Sequence, residues 1–75
     1  MPELRKVSGR AAIRALERLG FERVRQRGSH VVLKKRTPEG DIGCVVPLHK
    51  ELAIGTLYGI LKQADITAEE FMKNL

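Results

Sequence analysis

The stretch "FERVRQRGSHVVLKKR", residues 21–36, decides the fold. Residues 21–26 alternate in character, and residues 30–36 are rich in β-branched side chains, which is typical of strands. Gly28 and Ser29 lie between the two segments and favour a tight turn. The stretch therefore predicts an antiparallel hairpin.

The inward face of the second strand stays open at this level. His30 and Val32 point to one side of the sheet, and Val31 and Leu33 point to the other, because successive side chains of a strand alternate. Both pairs contain apolar residues, so the sequence alone is compatible with either orientation.

A second turn and a third strand follow directly. The segment "TPEGD" (37–41) combines Pro38, which fixes φ, with Gly40, which tolerates positive φ. "IGCVV" (42–46) is the predicted third strand, and Pro47 ends it because proline cannot donate a ladder hydrogen bond. Two short connections in a row predict an antiparallel meander of three strands.

An amphipathic helix precedes the sheet, over about residues 9–19. Ser8 is suited to cap its first turn, and Gly20 is suited to end it in a left-handed conformation. The apolar residues recur at the i, i+3, i+4, i+7 spacing of one buried helix face. They are Ala12, Ile13, Leu16 and Leu19.

Two helices are predicted after the sheet. The buried face of the longer one is predicted to be Leu57, Ile60, Leu61 and Ala64. Gly59 in its middle is expected to allow close packing. Thr67 and Glu70 form a capping-box pattern that starts a short last helix, and Phe71 and Leu75 are expected to pack that helix against the rest.

The element order is thus α-β-β-β-α followed by a short C-terminal helix. We predict an α+β fold, in which a three-stranded antiparallel sheet has its helices gathered on one face. The 75 residues are expected to form a single small domain, 1–75, with a thin core.

Composition excludes several classes of protein. Cys44 is the single cysteine, so an internal disulfide is excluded. The N-terminal stretch "MPELRKVSGR" lacks the apolar run of a signal peptide, and no segment approaches the roughly 20 apolar residues that span a bilayer. We expect a cytoplasmic protein with no membrane partner.

Positive charge is concentrated in the first half of the chain. Residues 1–36 hold eleven Lys or Arg against three Glu, a net +8, whereas residues 37–75 have a net −3. This polarity suits a polyanionic ligand, because each neutralised phosphate releases counterions. A solvated basic surface without a ligand explains the same charge, so charge alone does not decide the function.

Short motifs are spread over most of the chain. In order they are "VSG" (7–9), "GF" (20–21), "RQRGSH" (25–30), "VPLH" (46–49), "GTL" (55–57), "ILKQA" (60–64) and "EEF" (69–71). Over residues 7–71 the chain resembles the HicA (YcfA-like) toxins in the order and spacing of these motifs. The resemblance implies a double-stranded-RNA-binding-domain-like fold, which agrees with the element order derived above.

The resemblance also implies a function. HicA toxins are mRNA interferases of toxin–antitoxin systems. They cleave RNA with the histidine of the Gly-Ser-His turn and without a metal or other cofactor, and a HicB antitoxin blocks them. By position that histidine is His30, so the expected partners are mRNA, single-stranded or structured, and a HicB-type antitoxin. Val31 and Val32 depart from the family, which often has a second histidine or an aromatic residue there, and the turn at 37–41 is expected to be longer than the family's hairpin.

Histidine suits this chemistry. Cleavage of RNA requires a base for the 2′-hydroxyl proton and an acid for the departing 5′-oxygen, and imidazole can serve as either at neutral pH. Around His30, Gly28 would let a phosphate approach the main chain, and Ser29 would orient the ring or donate to a phosphate oxygen. The alternative for His30 is a strand-edge histidine without a role.

His49 is a secondary candidate, for the second proton transfer. The alternative, which we prefer, is a loop residue that hydrogen-bonds the main chain after Pro47. Cys44 is expected to be buried. Cys44, His30 and His49 match no ligand spacing, so no metal site is predicted.

Seven cations are candidate phosphate ligands. Arg25 and Arg27 flank the turn and are the best candidates to neutralise the scissile phosphate. The others are Arg10, Arg14 and Arg18 on the first helix and Lys34 and Lys35 on the second strand. Phosphate contacts position RNA without reading its sequence, so broad sequence tolerance is expected.

Two other functions fit the same features. One is a non-catalytic RNA-binding module of the same fold, which grips RNA by its shape. The other is a protein-interaction domain whose basic face serves an acidic partner. A test for RNA cleavage separates the first from an enzyme, and weak, non-saturating RNA binding would favour the second.

Overall fold

Each predicted helix and strand is present in the computed structural model, which describes residues 4–75. In chain order the elements are α1 (Gly9–Arg18), β1 (Glu22–Arg27), β2 (His30–Thr37), β3 (Gly40–Pro47), α2 (Ile54–Ala64) and α3 (Ala68–Lys73). The predicted α+β fold is confirmed. The first three residues of the predicted domain, which also begin the N-terminal stretch, lie outside the described residues.

The three strands form one antiparallel sheet in the order β1-β2-β3. Val31 and Leu33 of β2 are buried, and their register partners on β3 are buried beside them. This resolves the orientation that the sequence left open, because β2 turns these two residues to the core. His30 and Val32 consequently point to the opposite side of the sheet.

The side of the sheet that carries no helix is termed the open face. Its outward-pointing residues are Glu22, Val24, Arg25 and Arg27 of β1, His30, Val32, Lys34 and Arg36 of β2, and Asp41, Gly43 and Val45 of β3. A bulge between Arg23 and Arg25 puts both Val24 and Arg25 on this face. There they line a shallow depression together with Val32 and Lys34.

The helices cover the other face of the sheet and supply much of the core. α1 buries Ala12, Ile13, Ala15 and Leu16, and α2 buries the four residues predicted for it. Leu19, also predicted to be buried, is only partly so. Within the described chain, none of these helices has the length and apolar character needed to cross a membrane.

The ends of the helices follow the signals in the sequence. The Ser8 hydroxyl oxygen accepts a hydrogen bond from the Ala11 N–H at 3.0 Å, and Gly20 has the predicted positive φ, 101°. In the capping box, the Glu70 N–H donates to Thr67 Oγ1 at 3.0 Å and the Thr67 N–H donates to Glu70 Oε1 at 3.1 Å. The bond from the Thr67 backbone is the main reason why the pKa of Glu70 lies below its ordinary 4.5.

Three local expectations are wrong. A β-carbon on Gly59 would meet nothing within 4 Å among residues 4–75, so this glycine allows no close packing there. The turn at 37–41 is a two-residue turn, because β3 already begins at Gly40, which pairs with Thr37. Leu75 is 38% exposed, because α3 ends before it, whereas Phe71 is fully buried as predicted.

Candidate active site

His30 is exposed at the first position of β2, on the open face. Arg27, the last residue of β1, is its direct partner across the hairpin. Directly paired residues in antiparallel strands point to the same side, with Cβ atoms about 5 Å apart. The guanidinium of Arg27 can therefore reach a phosphate that lies against the imidazole.

The turn at Gly28 and Ser29 makes this pair adjacent. Gly28 has φ 54°, in the left-handed region that glycine occupies without strain. A β-carbon at Gly28 would meet nothing within 4 Å in the described part of the chain, so there the space over the turn is open to a ligand. Gln26 Nε2 donates to the Gly28 carbonyl oxygen at 3.0 Å and braces the turn. This brace was not predicted, because a sequence does not show where a long amide side chain folds back.

Three segments that are distant in sequence meet beside the turn. Gly9, residues 28–30 and residues 47–49 are together termed the His30 corner. The Leu48 N–H donates to the Ser29 carbonyl oxygen at 2.6 Å and continues the pairing of β2 with β3 beyond its last ladder pair. Main-chain hydrogen bonding therefore fixes the backbone on both sides of His30.

The start of α1 closes the His30 corner through Gly9. Its N–H donates to the His49 carbonyl oxygen at 2.9 Å. A β-carbon on Gly9 would overlap the Pro47 carbonyl oxygen, so a larger residue cannot come this close. The sequence did not predict a role for Gly9, because the contact that requires a glycine comes from a distant segment. The side chain of His49 is exposed. Whether it moves a proton or is the loop residue that we prefer stays untested by this geometry.

Three of the predicted phosphate ligands share the open face with His30. They are Arg25, Arg27 and Lys34. Within residues 4–75, Arg25 and Arg27 take part in none of the ion pairs, and both are exposed. Lys34 differs from them because it lies directly across from the acidic Glu22. The cations nearest His30 are thus free to neutralise a bound phosphate.

The other four predicted phosphate ligands lie off the open face. They are Lys35 on the covered side of β2, where its Nζ lies 6.0 Å from the centroid of the Phe21 ring, and Arg10, Arg14 and Arg18 on the exposed side of α1. Arg10 adjoins the His30 corner, and Arg14 and Arg18 follow about 6 and 12 Å further along the helix. The Arg18 guanidinium donates to the Asn74 carbonyl oxygen at 2.7 Å.

Cys44 is buried on the covered face, as predicted, whereas His30 points to the open face. Burial raises the pKa of the Cys44 thiol from 9.0 to about 11, so the thiol is neutral at physiological pH. In the part of the chain that the structure describes, no group of three or more His, Cys, Asp or Glu is placed to hold a metal ion.

Three valines on the open face were missed by the sequence analysis. Val24 and Val45 are 50% and 40% exposed, and the partly buried Val32 lies between them. These three residues, one from each strand, are termed the valine row. Val24 lies on the same side of β1 as Glu22 by simple alternation, and the bulge adds Arg25 to that side. The sequence pattern did not reveal the exposed valines, because it left open which side of the sheet the helices cover.

Comparison with protein families identifies the family of this chain. Residues 9–66 match the family described as the HicA toxin of bacterial toxin–antitoxin systems. The matched region starts at Gly9 and contains the whole sheet and the His30 corner. Comparison with curated proteins gives no match. Because the family match spans well over half of the 75 residues, the chain belongs to the HicA family and is the toxin of a toxin–antitoxin system.

Proposed function

We propose that this toxin is a metal-independent endoribonuclease that cleaves mRNA with His30 and is neutralised by a HicB-type antitoxin. The observation that carries the proposal is an exposed histidine directly paired with Arg27 on a sheet face without helices. Membership of the HicA family supports the role of toxin. The proposed enzyme acts in the cytoplasm, where its substrate is translated.

The proposed reaction is a displacement at phosphorus within the RNA. The 2′-oxygen loses its proton and bonds to the adjacent phosphorus, while the bond from phosphorus to the 5′-oxygen breaks. The products are a 2′,3′-cyclic phosphate and a 5′-hydroxyl, whose oxygen takes up a proton. His30 serves as the base or the acid, and either role typically contributes about 10² to 10⁴-fold to the rate.

The residues around His30 supply the rest of the proposed site. Arg25 and Arg27 hold the scissile phosphate and stabilise the charge that builds up on its oxygens. Gly28 leaves room for the phosphate against the main chain, and the Ser29 hydroxyl donates to one of its oxygens. These roles are supported by the shared exposure of all four residues on and beside the turn.

The test is an assay of RNA cleavage in EDTA. Purified wild-type protein is incubated with a long transcript beside the variants His30→Ala and His49→Ala. We expect the wild type to cleave, and His30→Ala to lose about 10² to 10⁴-fold in rate while it keeps its circular dichroism spectrum and its affinity for RNA. His49→Ala measures whether the second histidine moves a proton, because a loss as large as that of His30→Ala would make it the partner group.

Two results would contradict the proposal. Equal cleavage by wild type and His30→Ala would remove His30 from the reaction. Saturable RNA binding by the wild type without any cleavage would instead indicate the RNA-binding module of the same fold. End analysis of the products adds a check, since the proposed displacement leaves a cyclic phosphate on one fragment.

A further inference from the structure

The valine row makes a continuous apolar feature across the open face. Val32 and Val45 are register partners in neighbouring strands, and Val24 lines the same depression as Val32. Single exposed valines are ordinary on protein surfaces, whereas contiguous apolar patches mark sites of interaction. In the structure of residues 4–75, Val24 and Val45 keep 50% and 40% of their surface exposed.

The charges differ between the two sides of the valine row. The charged side chains of β1 beside the row and on its His30 side are cations, since Arg25 lies opposite Val32 and Arg27 lies opposite His30. On the far side Lys34 lies opposite Glu22, and Arg36 lies opposite Asp41. RNA carries charge of one sign and favours the first region. An apolar centre with a rim of both signs is typical of protein–protein interfaces.

The chemistry of valine also favours a protein over RNA. Proteins that hold unpaired bases stack them on aromatic rings or on guanidinium planes. The aromatic residues of this chain do not lie on the open face, since Phe21 and Phe71 are buried and Tyr58 is on α2. Branched aliphatic side chains pack well against other apolar side chains and give a base little to stack on.

We infer, building on the proposed function, that the valine row is the centre of the antitoxin docking surface and that the three valines themselves take no part in the action on RNA. The open face holds four cations, Arg25, Arg27, Lys34 and Arg36, against Glu22 and Asp41. The partner surface that fits is therefore apolar in its centre and acidic at its rim. A second copy of this chain fits poorly, because the same four cations would face each other.

The docking surface and the site for RNA are contiguous. His30 and Val32 stand on the same side of β2, two residues apart. A protein centred on the valine row consequently extends over His30 and excludes RNA. Substitutions in the row are expected to release the toxin from its antitoxin without removing any group that cleaves RNA.

The test uses the double variant Val24→Thr/Val45→Thr. Threonine keeps the branched shape and the strand preference of valine, adds no charge, and makes the patch polar. Val32 is left unchanged because it is partly buried. With the antitoxin encoded beside this toxin as the probe, we expect affinity to fall about tenfold or more, because the complex would bury two hydroxyls in place of two methyl groups. Cleavage of RNA by the toxin alone is expected to stay unchanged.

The matched control is Leu75→Thr, which makes the same kind of change at an apolar residue that is exposed elsewhere, 38% at the C-terminus. It is expected to leave antitoxin affinity and RNA cleavage unchanged. A measurement on the wild type guards against a variant that fails to fold. In protein with labelled valine methyl groups, the resonances of Val24 and Val45 are expected to shift on addition of antitoxin.

Several outcomes would overturn the inference. One is unchanged antitoxin affinity in a folded double variant. Another is that the Val24 and Val45 methyl resonances of the wild type do not shift when antitoxin is added. A third is that the double variant loses RNA affinity but keeps its antitoxin affinity. A toxin that dimerises alone, and no longer does so in the double variant, would show that a second copy covers the row. Failure of the proposed function is distinct, because the wild type would then not cleave RNA while the double variant still lost antitoxin affinity.

Discussion

Two glycines show how much a single β-carbon matters in this chain. Gly9 touches the Pro47 carbonyl where α1 meets the His30 corner. Gly59 lies on α2, and no atom of the residues described (4–75) is within 4 Å of an added β-carbon there. The same substitution at the two positions therefore acts in opposite directions. At Gly9 it forces two backbone segments apart, and at Gly59 it only lowers the conformational entropy of the unfolded chain.

We expect Gly9→Ala to lower the free energy of unfolding by about 1–3 kcal/mol, the usual cost of overpacking. Gly59→Ala is expected to raise it by up to about 1 kcal/mol, because alanine is the better helix former. Urea denaturation followed by circular dichroism measures both. A Gly9→Ala variant as stable as the wild type would mean that α1 does not approach Pro47 as closely as described.

At the scale of the residue, the sequence predicts what depends on near neighbours. Ser8 caps α1 and Thr67 caps α3, because capping involves residues three positions apart. The contact that demands Gly9 comes from a distant segment, and the direction of Lys35 depends on which side of β2 the helices cover. Neither the Gly9 contact nor the direction of Lys35 can be predicted from neighbouring residues in the sequence.

The capping box of α3 gives a prediction about pH at the scale of the element. Its hydrogen bonds to Thr67 lower the pKa of Glu70 in the folded protein below the ordinary 4.5. A lowered pKa means that Glu70 stabilises the fold above pH 4.5 and that this contribution is lost as the pH falls through the folded value. We expect Glu70→Gln to be less stable than the wild type at neutral pH, and the difference to shrink in acid.

Thermal unfolding over a series of pH values checks this expectation. Glu69→Gln is the matched control, because Glu69 lies beside Glu70 in the first turn but pairs with Lys73 instead of capping the helix. Its effect is expected to be smaller, as for other exposed ion pairs within a helix. If the difference between wild type and Glu70→Gln did not change with pH, the carboxylate would not be the capping group.

Element types were predictable here, but strand irregularities were not. Periodicity gave the buried face of α2, because four apolar residues recur at helical spacing. The bulge in β1 shifts the register at Val24, although no glycine in this strand indicates a bulge. The turn after β2 is shorter than "TPEGD" predicted, because Thr37 and Gly40 already pair. Bulges and turn lengths depend on which residues pair across the strands, and the sequence of one strand does not show this.

For the whole molecule, the cations on the open face predict how RNA affinity depends on salt concentration. A phosphate contact to single-stranded nucleic acid contributes about 0.7 to the slope of log affinity against log salt. If Arg25 and Arg27 each hold one phosphate, the double variant Arg25→Ala/Arg27→Ala is expected to show a slope shallower by about 1.4. Its loss of affinity should accordingly be greatest at low salt.

The measurement is a salt titration of RNA binding in the His30→Ala background, which prevents cleavage. Lys62→Ala/Lys73→Ala is the control, because it removes the same charge from exposed positions on α2 and α3. It is expected to change the slope less. Equal slopes for the two double variants would mean that net charge, and not these two arginines, governs binding.

At this scale the sequence predicted the fold class and the family. It did not show which of the cations lie on the same surface as His30. The order of elements and the motifs were sufficient for the α+β fold and for the HicA family. Seven cations were candidates for one basic surface, yet only Arg25, Arg27 and Lys34 of them share the open face with His30. Which side of the sheet a cation lies on depends on the side that the helices cover. No local sequence pattern shows which side that is.

The His30 corner also has a consequence for the order of events during synthesis. Ser29 leaves the ribosome before Leu48, to which it is hydrogen-bonded, and before Leu52, whose N–H donates to the Val7 carbonyl oxygen. Because translation adds about 5–20 residues per second, roughly one to four seconds pass between the synthesis of the hairpin turn and that of the residues that hydrogen-bond to its corner. A toxin proposed to cut mRNA is thereby kept unassembled until translation has passed Leu52.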